Sequence, residues 1–350
     1  MKNFSNHIVY HSATLKDGMI AINKITDEIL CLFILDDMQR LIGSLTDGDI
    51  RRALILGVLL TDAIDCAMKK DFIFVKFNDV TPNQIKNYRA KNIKLLPCID
   101  DNGKIIKVFN LVARQSVLPI DAVLMAGGKG LRLRPLTETT PKPLLKVGDR
   151  AIIDYNVERL IKFGVENIHV NINYLAEQIE SHFADEKDGI KIACVREPKF
   201  LGTIGSVKFI TNFHNDLVLV MNSDLFTNID FEEFYLNHIE QNSDMSVATI
   251  PYSISVPFGI IELKDQIICG LREKPTYTYY ANGGVYLVKR HLLDLIPKNA
   301  YFDATEFIEL LITQNYKVTH FPIIGYWIDI GKPEDYYKAC ELAKHIKFNN

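Results

Sequence analysis

The chain has no paired cysteines. Its six, Cys31, Cys66, Cys98, Cys194, Cys269 and Cys340, are scattered singly, with no C-x-x-C pair and no histidine at zinc-ligand spacing. This argues against a disulfide framework or a structural zinc site and for buried, reduced thiols. Long hydrophobic runs are missing as well. The longest, such as Ala53 to Leu60 around Gly57, fall far short of the ~18 to 20 residues that a membrane span needs. The opening residues, MKNFSNHIVYHS, hold no apolar stretch of signal-peptide length. No membrane association or export is therefore expected, and the protein is read as cytoplasmic. A basic excess is absent too: a formal net charge of −3 without any basic block speaks against a nucleic-acid binder working by bulk electrostatics.

What remains is the composition of a soluble globular protein, 48% hydrophobic and 24% charged. Its 350 residues leave room for about two domains, each burying its own core. Ala113 to Ile120 reads as a linker of a few residues, with Pro119 breaking any helix. The expected domains are 1–117 and 118–350, held close by that short connection.

Residues 121 to 145, DAVLMAGGKGLRLRPLTETTPKPLL, carry the strongest chemical signal. Ala122 to Met125 reads as a buried strand that opens into Ala126, Gly127, Gly128, Lys129 and Gly130. Glycines let backbone N–H groups approach anionic oxygens, and Arg132 and Lys142 can close on the same phosphates from two sides. Taken alone, the stretch also fits an ordinary glycine turn with surface charges. It lacks the third glycine of G-x-G-x-x-G and the G-K-[ST] of a Walker A loop. Dinucleotide-dehydrogenase and P-loop readings thereby lose their main support.

The first third is a duplication. Residues 30–49 align with residues 94–113, placing Asp36-Asp37 on Asp100-Asp101, Arg40 on Lys104 and Leu41-Ile42 on Ile105-Ile106. Each copy reads as strand, acidic turn and strand, preceded by a helix near Asp17 to Thr26 or Pro82 to Lys91. The first copy ends in Gly43-x-x-Thr46-x-x-Asp49 before a helix from Ile50 to Leu56; the second has Lys107, Asn110 and Ala113 there. Thr46 and Asp49 can cap that helix or hydrogen-bond a ribose diol. The duplicated unit resembles a tandem pair of CBS motifs, a regulatory module that typically binds adenine nucleotides. The resemblance implies ribose contacts from Thr46 and Asp49, at most one good nucleotide site per pair, and association as a homodimer. The other reading is a module that only dimerises or packs on its neighbour.

Beyond the linker, strands and helices alternate: strand 122–125, helix 151–163, strand 167–172, helix 175–183, strand 190–195, helix 204–212 and strand 217–221. Alternation implies an α/β domain, a mostly parallel sheet with helices on both faces and ligands at the carboxyl ends of its strands. Val218 to Met221 delivers Asn222-Ser223-Asp224 to the end that bears the glycine loop, and Gly325-Tyr326-Trp327-Ile328-Asp329-Ile330-Gly331 supplies a second aspartate. Two carboxylates meeting at bound phosphates suit Mg²⁺, which takes hard oxygen ligands and shares them with phosphates. Asp329 could instead precede and cap the helix beginning at Pro333. Glu197, in Arg196-Glu197-Pro198-Lys199-Phe200-Leu201-Gly202-Thr203-Ile204-Gly205, would suit guanine if this stretch is the base pocket that the family resemblance given below implies. Guanine's adjacent N1–H and N2–H₂ donors match one carboxylate, whereas uracil and thymine suit an amide. Pairing of Glu197 with Arg196 or Lys199 at the rim is the other reading. Alone, Glu273-Lys274-Pro275 would be a surface ion pair and Asn282-Gly283 a hairpin turn.

G-G-x-G-x-R-L followed by P-K-P resembles, over residues 121 to about 340, the sugar-phosphate nucleotidyltransferase family. The implied fold is a Rossmann-like, doubly wound mixed sheet of the nucleotide-diphospho-sugar transferase type behind an N-terminal CBS-pair α+β domain. The resemblance implies a nucleotide site from Ala126 to Gly130 with Glu197, Gly202 and Thr203, and catalytic Arg132 and Lys142. It also implies Mg²⁺ on Asp224 and Asp329, and a sugar-phosphate pocket from Glu273, Lys274, Asn282 and Gly283. Gly283 stands where alanine is more usual, a departure expected to enlarge the pocket slightly. E…L-G-T-x-G matches the guanylyl-transferring branch, so the expected substrates are GTP and a sugar 1-phosphate. A CBS pair ahead of a short catalytic domain without a C-terminal left-handed β-helix resembles bacterial enzymes making GDP-activated amino sugars. That points to glucosamine 1-phosphate, for legionaminic acid, with mannose and heptose 1-phosphates and uridylyl or thymidylyl transfer open. The reading from a different class is a nucleotide sensor with a dead transferase scaffold. Against it, Arg132, Lys142, Asp224, Lys274 and Asp329 are all retained.

Overall fold

One supersecondary unit, used twice, makes up the first part of the chain in the structure, a computed structural model that describes residues 4–25 and 29–346. β1 (Ile8–Tyr10), α1 (Leu15–Lys24), β2 (Cys31–Leu35), β3 (Leu41–Thr46) and α2 (Asp47–Ile55) form the first copy; β4 (Val75–Lys76), α3 (Pro82–Ala90), β5 (Leu95–Ile99) and β6 (Ile105–Asn110) form the second. Both sheets have the same order, β1-β2-β3 and β4-β5-β6. In each, the first pair is parallel and the second antiparallel. Helix starts are set locally: Thr14 and Thr81 open α1 and α3 with capping boxes, the second reinforced by Pro82. The last residue of the first expected helix, Thr26, lies outside the described residues.

The hairpin turns repeat atom for atom. Asp36 Oδ1 accepts from Met38 N (2.9 Å) and Arg40 N (2.8 Å), and Asp100 Oδ1 accepts from Asn102 N (2.9 Å) and Lys104 N (2.8 Å). Gln39 and Gly103 hold the left-handed position of the two turns, at φ 64° and 80°. Each copy buries its own core, and Phe33, Leu35, Leu41 and Ile99 form a third cluster that joins the two sheets. The copies part after the hairpin. Thr46 and Asp49 launch α2, whereas Asn110 Oδ1 takes Val112 N (3.0 Å) and Ala113 N (3.1 Å) into a turn that no helix follows.

Met1–Val117 with Lys162–Gly164 form one compact unit; Leu118–Ile161 with Val165–Asn350 form the other. In the second, β7 (Asp121–Ala126) leads through the glycine loop to the short β8 (Lys146–Val147) and β9 (Arg150–Ala151), then α4 (Ile152–Lys162) and β10 (Asn167–Ile172). There follow α5 (Ala176–His182), β11 (Ile192–Arg196), β12 (Leu217–Asn222), β13 (Leu225–Thr227), α6 (Phe231–Glu240) and β14 (Met245–Ser255). β15 (Ile260–Lys264), β16 (Ile267–Arg272), β17 (Thr276–Lys289), α7 (Ala304–Thr313), β18 (Val318–Pro322), β19 (Trp327–Asp329) and α8 (Pro333–His345) complete it. The main sheet runs β11-β10-β7-β12-β17-β14-β18. β17 alone is antiparallel to both neighbours; the other pairs are parallel. The sheet is therefore mixed. β7 is central and nearly all buried, which is why it reads as one apolar run. One core gathers Val123, Val218 and Val220 with Phe307 and Leu311 of α7.

One expected element and one of two open readings fail. The helix expected over 204–212 is a single 3₁₀ stretch, Gly205–Phe209, closed by Val207 N to Ile204 O (3.0 Å) and Ile210 N to Val207 O (3.1 Å), while Ile204 N and Gly205 N donate to Phe302 O. Asn282-Gly283 is no hairpin turn. It lies inside the 14-residue β17, opposite a register shift in β14 between Val247 and Thr249.

Candidate active site

A small antiparallel pair, β13 with β19, brings the two aspartates together by placing Leu225 opposite Asp329. Ile330 N donates to Asp224 O at 3.2 Å and locks the junction. Beneath it, Leu133, Leu145, Tyr155, Phe226, Ile330 and Ala339 form a buried cluster, so the glycine-loop exit, the β13–β19 pair and α8 share one foundation. Asn156 reaches out of α4 to donate to Leu225 O at 2.9 Å, and Asn228 Oδ1 accepts Tyr326 N at 2.9 Å to hold the start of β19.

Lys142 points its ammonium at this pair. It donates to Asp224 Oδ2 and lies 3.8 Å from Asp329 Oδ1. Arg132 comes to the same place, its guanidinium within 3.2 Å of the position a Cβ on Gly331 would take. Partial burial, and after it the charge of Asp224, push the Asp329 carboxyl above the ordinary aspartate range, against the pull of Lys142 and Arg132. Lys332, not Asp329, stands at the N-cap of α8, so the capping reading of Asp329 does not hold.

A divalent cation fits these residues. Asp224 Oδ1 is buried with no hydrogen-bond partner, and a second carboxylate stands beside it. Among the described residues there is no group of three or more histidine, cysteine or acidic side chains that could hold a metal. A cation on Asp224 and Asp329 would need further oxygen ligands, which water and phosphates supply to Mg²⁺.

Glu197 comes to the other side of the glycine loop. Its side chain is buried, and a Cβ on Gly127 would fall 2.1 Å from Oε1. A side chain at 127 would therefore displace the Glu197 carboxylate from its place. Oε2 accepts Leu201 N at 3.2 Å, and burial raises the carboxyl above its usual range, opposed by the Leu201 and Ser206 hydrogen bonds. Pairing at the rim is not what the structure has: Arg196 bonds Glu177 and Glu180 instead. Gly128 and Lys129 are exposed, and a Cβ on Gly128 would meet nothing within 4 Å. Gly130, at φ 60°, packs on Thr137 and Lys142, and Thr137 Oγ1 donates to its carbonyl at 2.8 Å. Tyr174 OH donates to Thr137 O and Glu138 O, tying down the stretch between the glycines and Pro141.

Gly202 is buried and Thr203 exposed in the loop that follows Glu197. Gly202 sits at φ 83° with Phe302 O only 2.6 Å from where a Cβ would go, and Thr203 is bonded to Asp303 and Ala304. Asn282 and Gly283 lie beside the strands that lead to the aspartates: Trp327 Nε1 donates to Gly283 O at 2.9 Å, and a Cβ on Gly284 would fall 2.7 Å from Asn222 Nδ2. A Cβ on Gly283 would meet Ala248 O at 2.7 Å. The glycine therefore makes room for the neighbouring strand and does not enlarge a pocket. Glu273 and Lys274 are each about 70% exposed and lie 3.9 Å apart, as a surface pair. Thr46 and Asp49 bond one another. Asp49 Oδ2 accepts Thr46 N (2.9 Å) and Thr46 Oγ1 (2.6 Å), and Oδ1 accepts Arg52.

Asn156, Asn228, Tyr174 and Asp303 were not singled out from the sequence. Asn156 had a readable signal, a polar side chain on the apolar stripe of α4; the others act on residues far away in the chain.

A glycine-rich turn at the end of a central strand, with two carboxylates and a lysine at one side and a buried glutamate at the other, is matched by one family model: Nucleotidyl transferase, residues 121–345. The chain belongs to the nucleotidyl transferase family. Within it, the chain is 28% identical over 249 residues to a UTP–glucose-1-phosphate uridylyltransferase of Synechocystis, covering 65% of this chain and 64% of that protein's length. It is 29% identical over 236 residues to a D-glycero-alpha-D-manno-heptose 1-phosphate guanylyltransferase of Campylobacter jejuni, covering 66% of this chain and all of that one. The solved structure of HddC from Yersinia pseudotuberculosis, also determined complexed with GMP-PN, superposes with a TM-score of 0.51 (0.50 for the complex). It shares 26% identity and covers 64% of this chain and 99% of that one. The nucleotidyl transferase match leaves the first 120 residues outside it.

Proposed function

We propose that the protein is a sugar-1-phosphate guanylyltransferase, converting GTP and a sugar 1-phosphate to a GDP-sugar and pyrophosphate. The observation that carries this is the convergence of Lys142, Asp224 and Asp329 at the glycine-loop end of β7 and β12. A phosphate oxygen of the sugar 1-phosphate attacks the α-phosphorus in line with departing pyrophosphate. The new P–O bond forms as the α–β bridge bond breaks, and both electrons leave with pyrophosphate. The nucleophile is already an anion, so no covalent enzyme intermediate is needed, and catalysis rests on positioning and charge neutralisation. Backbone N–H groups of Ala126 to Gly130 with Lys129 cradle the triphosphate. Arg132 takes the β/γ side and the leaving group. Lys142, held at the aspartates, bridges the α-phosphate and the sugar phosphate. Asp224 and Asp329 would hold Mg²⁺, which when bound supplies charge neutralisation at the phosphates.

Guanine as the base is supported by Glu197, a buried carboxylate against the glycine loop with no cationic partner among its hydrogen bonds. The names of relatives support guanylyl and uridylyl transfer alike, so the base rests on that side chain. Glu273, Lys274, Asn282 and Gly283 are proposed for the sugar phosphate; the first two, being exposed, would close on it from the surface. Glucosamine 1-phosphate is proposed as the sugar, on the two-module organisation. For the first unit we propose a tandem CBS module, supported by the duplicated hairpins, that binds an adenine nucleotide at Thr46 and Asp49 and associates as a homodimer in the cytoplasm. No helix among the described residues is long and apolar enough to cross a membrane.

An Asp224→Ala variant tests the enzyme reading. Loss of at least ~10²-fold in pyrophosphate release with folding retained is expected, and unchanged GDP-sugar formation would sink it. Calorimetry of the full chain with ATP and AMP tests the first unit, where silence leaves a purely architectural module.

A further inference from the structure

We propose that Asp303 is a positioning residue for the nucleotide base, acting through the loop that carries Glu197. The proposal rests on the reading of Glu197 as the base contact. Leu201 to Gly205 and Ala300 to Ala304, a hundred residues apart, are zipped together. Phe302 N donates to Leu201 O at 3.0 Å, and Ile204 N and Gly205 N converge on Phe302 O at 3.3 and 3.1 Å. Glycines make the approach possible: Phe302 O would be 2.6 Å from a Cβ on Gly202, and Ala300 O would be 3.0 Å from one on Gly205.

Asp303 is the charged centre of this clasp. Its Oδ1 accepts both Thr203 N (2.9 Å) and Thr203 Oγ1 (3.0 Å), and its Oδ2 accepts Tyr301 OH (2.7 Å). Thr203 Oγ1 in turn accepts Ala304 N at 2.8 Å, so the hydroxyl both donates to the aspartate and receives the start of α7. Leu201 and Ile204, fully buried, seat the loop in the core. Two residues from Thr203, Leu201 N donates to Glu197 Oε2, and Glu197 Oε1 lies against Gly127. The fixed relay is Asp303, Thr203, Leu201, Glu197 and the glycine loop.

The consequence is specific. A carboxylate reads N1–H and N2–H₂ together only when held in one orientation, and the two hydrogen bonds from Thr203 to Asp303 fix the loop whose Leu201 N–H orients Glu197. Loss of Asp303 loosens the loop at Thr203, with the Phe302 backbone bonds left in place, and removes no group that touches a phosphate. Nucleotide affinity and base discrimination should then suffer, and turnover at saturation should not. ITP is the probe, since hypoxanthine lacks only the 2-amino group.

The test uses the full-length protein, with the wild type first ranked on GTP, ITP and UTP by pyrophosphate release. Asp303→Ala is expected to raise KM for GTP by about tenfold, the size of one charged hydrogen bond, with kcat within about threefold. The GTP-over-ITP preference is expected to fall toward one. Asp303→Asn keeps one acceptor oxygen and should recover most of both. A folded Asp303→Ala with wild-type KM and wild-type preference overturns the proposal, as does a fall confined to kcat. If Asp303→Ala does not fold, Thr203→Val decides: a narrowed preference supports the relay and an unchanged one overturns it. Should the wild type prefer UTP, the guanine reading alone fails. The relay is then judged on UTP, where a raised KM at retained kcat supports it and an unchanged KM ends it.

Discussion

Gly127→Ala perturbs the point where the glycine loop meets Glu197. The added Cβ would stand 2.1 Å from Glu197 Oε1, against the 3.4 to 4 Å of ordinary contact. The carboxylate must retreat by more than about 1 Å, and retreat breaks its 3.2 Å bond from Leu201 N while leaving a buried charge underbonded. A hydrogen bond to a charged group is worth about 1.5–3 kcal/mol, so KM for GTP should rise between about 10- and 100-fold, with a measurable loss of thermal stability. Gly128→Ala is the control. Its Cβ meets nothing within 4 Å, so the melting temperature should hold while KM rises, the methyl intruding only on the space left for triphosphate. Initial-rate pyrophosphate release against GTP, paired with melting curves, reads both. A Gly127→Ala protein with unchanged KM and unchanged melting would refute the placement of Glu197 at the nucleotide.

Other expectations follow from the same geometry. Gly283→Ala should destabilise the protein by about 1–3 kcal/mol in urea unfolding, since its Cβ would lie 2.7 Å from Ala248 O; a neutral result would mean that β14 yields easily. Burial, and after it Lys289, holds the His238 imidazole down to about 4, well below its ordinary value. The unfolded chain then binds the extra proton first as pH falls, so stability is full above about 6.5 and is lost on going down to about 4, by up to about 3 kcal/mol. A His238→Phe variant whose stability profile keeps the same slope over that window would contradict this. Asp49→Ala removes the acceptor for Thr46 N and Oγ1 and should cost about 1 kcal/mol of stability. It should also abolish any heat of adenine-nucleotide binding seen with the wild type.

Much of this architecture was readable in the sequence because its signals are local. The apolar run of β7 and the acidic turns at Asp36 and Asp100 announce themselves within a few residues. Lys142, Asp224 and Asp329 do come together, although only the family resemblance, not spacing, could join residues so far apart. What stayed hidden depends on distant partners. The antiparallel insertion of β17 has no local signature, and Asn282-Gly283 mimics a hairpin turn because Gly283 is demanded by Ala248 on the next strand. The 3₁₀ stretch at 205–209 looked like a helix, since nothing nearby reveals that Phe302 takes its N–H groups. Thr203 bonds Asp303 and Ala304, and Gly202 packs against Phe302, contacts with residues a hundred positions away that no local pattern shows.

The most direct measurement is a matrix of GTP, UTP and dTTP against glucosamine, mannose and D-glycero-D-manno-heptose 1-phosphates, read by pyrophosphate release from the full-length protein with Mg²⁺. GTP is predicted to outrun the pyrimidine nucleotides with whichever sugar phosphate reacts. A protein that prefers UTP or dTTP would contradict the assignment of Glu197 to guanine, and one that releases pyrophosphate in no combination would contradict the account as a whole.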